Sequence, residues 1–119
     1  MSLHVLAIDD DADFLELMQQ GLAPRGIDVT ACETVAQAVQ ALTAQAFDLV
    51  LTDLGLADEG GLALLEKVKQ HFPDVPVVVV TGHGDAAGAA RALGAAGVLV
   101  KPVELEDLAL AVESALSAR

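Results

Sequence analysis

The chain has 119 residues, 54% of them hydrophobic, with 18 acidic side chains against six basic ones and a formal net charge of −12. That length suits one domain rather than two, and the charge balance offers no basic stripe for a phosphate backbone and repels an anionic membrane, so neither nucleic acid nor membrane is an expected partner of this segment. No apolar run approaches the roughly 18 residues of a membrane span, no signal segment opens the chain, there is no Asn to glycosylate and the single Cys32 can form no internal disulfide, so a cytoplasmic domain is expected.

Short apolar runs alternate with segments of helical period along the whole chain. Leu3–Ile8 reads as a first strand, followed by a helix from about Ala12 to Leu22 with Phe14, Leu15, Met18 and Leu22 on one face, stopped by Pro24 and Gly26. The second strand is Ile27–Ala31, with Cys32 at its end as a buried structural thiol. Thr34 and Gln37 have the spacing of a capping box, opening a helix that carries Val35, Ala38, Val39 and Leu42. Asp48–Thr52 is the third strand; the helix after it presents Leu64, Leu65, Val68 and Phe72 and ends before Pro73. Val75–Val80 is the fourth strand. The fourth helix, about Asp85 to Ala95, is mostly Ala and Gly, and Gly88 costs it about 1 kcal/mol relative to Ala. Gly97–Val100 is the fifth strand. The last helix begins near Glu104 with Leu105, Leu108, Ala109, Val112 and Leu116 inward, leaving Leu110 exposed.

The strand runs are continuous rather than alternating, which predicts burial on both faces. Five strands alternating with five helices predict an α/β fold over residues 1–119, a parallel sheet with helices on both sides. There is no internal repeat, low-complexity linker or domain boundary.

In such a sheet, ligands collect at the carboxyl ends of the strands. The first strand ends in Asp9, Asp10 and Asp11, the third in Thr52 and Asp53, the fourth in Thr81, Gly82, His83 and Gly84, and the fifth in Lys101 and Pro102. Each residue alone has an ordinary explanation: Asp11 as a helix N-cap, Asp53 as a turn residue, Thr81 as a strand end, Lys101 as a surface lysine. Together they put several carboxylates at one edge, where they repel and raise one another's pKa unless a cation intervenes. Oxygen donors without Cys or paired His point to Mg²⁺ or Mn²⁺ rather than zinc. Lys101 and Thr81 add donors for an anion's oxygens. A carboxylate beside a hard metal, a lysine and a hydroxyl is a phosphoryl-transfer arrangement.

The pattern Ile8-Asp9-Asp10, Leu51-Thr52-Asp53-Leu54, Val80-Thr81-Gly82 and Val100-Lys101-Pro102 resembles the receiver (CheY-like) domains of two-component response regulators, over about residues 3 to 118. The resemblance implies a flavodoxin-like doubly wound sheet of strand order 2-1-3-4-5 with five helices. It implies Asp53 as phosphoacceptor, Thr81 as switch hydroxyl and Lys101 as phosphate-binding lysine. Asp9, Asp10, Asp53 and the backbone carbonyl of Gly55 match the metal site, with Asp10 a direct ligand. Lys101-Pro102 matches a cis peptide, and Gly61 a glycine of the loop after the acceptor. A histidine kinase or histidine phosphotransferase is the implied donor, and an effector domain or protein and, on activation, a second copy of the chain are the further partners such a domain uses. The domain is then a phosphoacceptor with at most slow self-phosphorylation and autodephosphorylation, not an enzyme in the full sense.

Three positions depart from the family pattern. Ala57 stands where Pro is usual, Val98 where the switch Tyr or Phe sits, and Gly55 brings no side chain to the site, with His83 at the other position that tunes phosphoryl lifetime. The stretch from Thr81 to Asp85 is similar to receivers attached to transcriptional activators. The chain ends just after its fifth helix and reads either as a stand-alone receiver or as a piece of a longer regulator. Two rival readings fit worse. The Asp9-Asp10-Asp11 run lacks the Thr of a haloacid-dehalogenase motif. An EF-hand starting at Asp9 has Phe14 where Gly is needed and Gln20 where Glu is needed. A pseudo-receiver, a binding module of the same fold not governed by phosphate, is the remaining alternative.

Overall fold

Five short parallel strands carry the apolar runs: β1 (Leu3–Ile8), β2 (Ile27–Cys32), β3 (Leu49–Thr52), β4 (Val77–Thr81) and β5 (Gly97–Val100). They form one sheet of order β2-β1-β3-β4-β5, the order the resemblance implied. The structure is a computed structural model and describes residues 3–54, 60–82 and 84–118. The helices are α1 (Ala12–Leu22), α2 (Val35–Ala44), α3 (Gly61–His71), α4 (Ala87–Ala92) and α5 (Leu105–Ser117), with 3-10 turns at Ala23–Arg25 and Gly84–Ala86.

Alternate residues of each strand face opposite ways, so the sheet divides the core in two. Leu6, Ile8, Val50, Val77 and Val79 pack with α2, α3 and Ala90 of α4. Val5, Ala7, Leu49, Leu51, Val78 and Val80 pack with α1 and α5. Burial on both faces holds for the inner strands, where every residue of β3 and β4 is buried. The edge strands are more open: β2 exposes Asp28, Thr30 and Ala31, and Val100 of β5 is 48% exposed. An edge strand has helices across it only in part, which the hydrophobicity of Gly97–Val100 did not reveal.

Helix starts follow their side chains. Asp11 caps α1, its carboxylate accepting from the backbone N–H groups of Asp13 and Phe14. Thr34 caps α2 by accepting from Gln37 N, and the Gln37 side chain reaches back to Glu33 N, one residue before the cap. Gly60, not Gly61, carries the unusual backbone at the start of α3, with φ 90° and ψ 155°; Gly61 is the first helical residue.

Several boundaries differ from expectation: β2 runs on to Cys32, β3 begins at Leu49 and β4 ends at Thr81, and the larger changes are at the start of β4 and in α4. β4 starts at Val77 instead of Val75, because the Val75 N–H turns back to the Phe72 carbonyl and closes the turn after α3. α4 is shorter than Asp85 to Ala95: its first turn is 3-10, and Gly94 (φ 96°) ends it in a Schellman motif, with Ala95 N donating to Ala90 O and Gly94 N to Arg91 O. On the other side of the sheet α1 and α5 lie close. A Cβ at Gly21 would overlap the Leu105 side chain, and Arg25 pairs with Glu106 and Glu113. Leu110 is 54% exposed, as expected, and Cys32 is buried, which pushes its thiol pKa up.

Candidate functional site

Register decides what meets at the carboxyl edge. Ile8 lies opposite both Cys32 and Thr52, and Thr81 opposite Val100. The next residues, Asp9, Asp53 and Lys101, therefore emerge together. Each is fixed by one more backbone bond in the direction of the sheet: Asp9 N to Cys32 O, Asp53 N to Ile8 O, and Lys101 N to Thr81 O at 2.7 Å. The Lys101-Pro102 peptide is cis, as the resemblance implied.

The Lys101 ammonium reaches Asp9 Oδ2 at 2.7 Å and Asp53 Oδ2 at 3.3 Å. Asp9 is 1% exposed and Thr81 fully buried, Asp53 is buried, and Asp10 is exposed. One carboxylate oxygen from each of Asp9, Asp10 and Asp53 lies within 4.8 Å of the others. The set contains oxygen donors alone, with no sulfur or imidazole, which fits a hard divalent cation with water completing its shell. Of the expected site residues, the structure thus brings together Asp9, Asp10, Asp53 and Lys101, with Thr81 at the adjoining strand end. Gly55, Ala57 and His83 lie outside the described residues.

Burial and charge compete here, with a different outcome at each residue. For Asp9, desolvation outweighs the hydrogen bond and charge of Lys101, and its carboxyl is held above the usual carboxylate range. For Lys101, burial pulls the ammonium's pKa down, but the Asp9 hydrogen bond and the charges of Asp9 and Asp53 more than reverse this, and it is raised. Both shifts have one sign because Asp9 is the more deeply buried partner: the Lys101 side chain is 27% exposed, against 2% for Asp9. The result is a permanent cation lodged against more anionic charge than it neutralises.

The sequence reading placed Phe14 on the core face of α1. The structure also sets its ring 4.7 Å from Lys101 Nζ. A signal was available, since Phe14 is one of only three aromatics and follows directly on the acidic loop. What periodicity could not supply was the helix's rotation relative to the end of β5.

The family model for the response regulator receiver domain matches residues 5–113, and the chain belongs to that family. It is 35% identical over 115 residues to the DNA-binding transcriptional regulator NtrC of Escherichia coli (strain K12), covering 95% of this chain and 24% of that protein. It is 37% identical over 116 residues to the response regulator protein PilR of Pseudomonas aeruginosa, covering 96% and 26%. A CheY-like receiver domain protein from Methanospirillum hungatei superposes with a TM-score of 0.93 at 28% identity, covering 99% of this chain and 96% of that one. The chain thus spans about a quarter of the length of the two regulators. As a receiver domain of the two-component response regulators it is a signalling domain, consistent with a phosphoacceptor role. Among the described residues, no helix is long and apolar enough to cross a membrane.

Proposed function

We propose that Asp53 accepts the phosphoryl group, from a phosphohistidine of a histidine kinase or histidine phosphotransferase. The observation that carries this is the placement of Lys101 Nζ between Asp9 and Asp53 at the carboxyl edge of the sheet. An Asp53 oxygen attacks phosphorus as the P–N bond to the donor imidazole breaks, and the imidazole takes the bond's electron pair. Lys101 holds an equatorial oxygen of the transferring group, and its raised pKa keeps it a cation throughout. Thr81, at the end of the neighbouring strand, supplies the hydroxyl that meets the acyl phosphate afterwards.

Asp9, Asp10 and Asp53 are the groups that would hold Mg²⁺ or Mn²⁺, joined, as the family resemblance implies, by the Gly55 carbonyl. The ion supplies charge neutralisation for the transferring oxygens. Autophosphorylation from small donors and hydrolysis of the acyl phosphate are slow side activities of the same geometry. The domain works in the cytoplasm, as a stand-alone receiver or as the input of a longer regulator. Phosphorylation then biases its contacts with an effector and with a second copy of the chain, because the oxygens on Asp53 interact differently with Thr81 and Lys101 in the two states.

The site of attachment is read directly by borohydride trapping. An aspartyl phosphate is reduced to homoserine, so protein incubated with acetyl phosphate and Mg²⁺ should carry homoserine at position 53 on peptide mapping. Homoserine at Asp9, Asp10 or Asp11 instead would refute the assignment.

A further inference from the structure

We infer that Phe14 is a positioning residue for Lys101 and, through it, for phosphoryl transfer; the inference rests on the reading of Asp53 as acceptor. The Phe14 ring, Asp9 and Asp53 are three partners of one ammonium, at 4.7 Å to the ring centroid and 2.7 and 3.3 Å to the carboxylate oxygens. A ring face attracts a cation through its quadrupole. It accepts no conventional hydrogen bond, so the N–H donors stay available for carboxylate and phosphoryl oxygens. Lysine otherwise has a long flexible stem and a strongly hydrated head, and the ring limits both.

The ring's own position is fixed by the acidic loop. Asp9 Oδ1 accepts from Asp11 N at 2.9 Å, Asp11 Oδ1 accepts from Phe14 N at 3.2 Å, the Phe14 ring meets Lys101, and Lys101 returns to Asp9 Oδ2. This circuit ties the loop that presents the acidic residues to the lysine arriving from the opposite end of the sequence. Core packing alone does not account for Phe14. Leu15, Met18 and Leu22 are the buried residues of α1, whereas Phe14 is only partly buried. It also lines, with Lys101, Leu17 and Val103, a cleft of about 480 Å³. A smaller side chain would widen that space against the ammonium.

The test compares Phe14→Leu, which keeps apolar bulk, and Phe14→Tyr, which keeps the ring. Labelling rates with acetyl phosphate and Mg²⁺ are read by intact mass, and the Lys101 ε-methylene resonances by NMR. Phe14→Leu should slow labelling about threefold to tenfold, the rate equivalent of a partly desolvated cation–π contact, and Phe14→Tyr should restore it. The ε-methylene protons should lie upfield in the wild type and Phe14→Tyr and return to an ordinary lysine position in Phe14→Leu, which reports whether the ring lies against the ammonium, while the labelling rates report whether that contact positions it. Wild-type labelling by the Leu variant, or Lys101 resonances indifferent to the substitution, would overturn the inference. If the wild type takes no label, the acceptor reading fails instead, and the Lys101 resonances still decide whether the Phe14 ring lies against the lysine.

Discussion

Individual backbone angles and charges set what this domain tolerates. Gly60 is held at φ 90° and ψ 155° where the chain enters α3, a region that residues with a Cβ avoid at a cost of about 1–3 kcal/mol. Among the described residues nothing crowds a Cβ there, the nearest atom being the Leu54 carbonyl oxygen at 3.7 Å, so the cost is one of conformation. Gly60→Ala should therefore lower the unfolding free energy by about that amount, read by urea titration with an unchanged slope. A neutral effect would mean that the turn relaxes without penalty. The positive φ lies at Gly60, the residue before the Gly61 that matches the family's loop glycine, and the sequence alone does not show that backbone conformation.

At the level of elements, α4 is the weak member. It has six residues, no side-chain N-cap, Gly88 within it and only Ala90 buried. Val98, in the place of the family's switch aromatic, is partly buried against the α2–α3–α4 side of the core, and a branched side chain stiff about χ1 has no second pose to adopt. A short helix with few anchors changes population for little free energy. Beryllofluoride, a stable mimic of the phosphoryl group, should therefore alter hydrogen exchange over the segment from Gly82 to Gly94 and leave Val98 nearly unchanged. Altered protection elsewhere with that segment silent would show that the switch lies in another element.

The elements themselves were largely legible. α1, α2 and β1 announce themselves through Asp11, the Thr34–Gln37 spacing and an unbroken apolar run, because local chemistry decides those features. The end of α4 was not, since Ala95 and Ala96 are good helix formers and only the left-handed angle at Gly94 shows that the chain has already turned. The site was legible as a set of strand ends, since a parallel sheet delivers those ends to one edge. The reach of Phe14 to Lys101 was not, because it depends on how α1 rotates against β5.

Across the whole molecule, the sheet gathers negative charge at one edge of an already acidic protein. Burial holds the Asp9 carboxyl above its ordinary value, so the protonated form is favoured by folding. That contribution is complete below the unfolded pKa near 3.8 and is lost as pH rises through the higher folded value. Near neutral pH the buried, ionised Asp9 carboxylate therefore opposes folding, and a divalent cation bound only by the native state should offset it. At about 100 times its Kd the cation contributes roughly 2.7 kcal/mol. Millimolar Mg²⁺ should raise the melting temperature at pH 7. The increment should shrink on acidification as Asp9 protonates, and Asp10→Ala should abolish it. A melting temperature indifferent to Mg²⁺ would leave the acidic cluster without a cation-binding role.

The most direct test of the central claim is the intact mass of the chain after incubation with acetyl phosphate, with Mg²⁺ or with a chelator, in the wild type and in Asp53→Asn. One added phosphoryl group is expected in the wild type with Mg²⁺, and none with chelator or in the Asn variant. Equal labelling of Asp53→Asn, or no labelling of the wild type under any condition, would contradict the account.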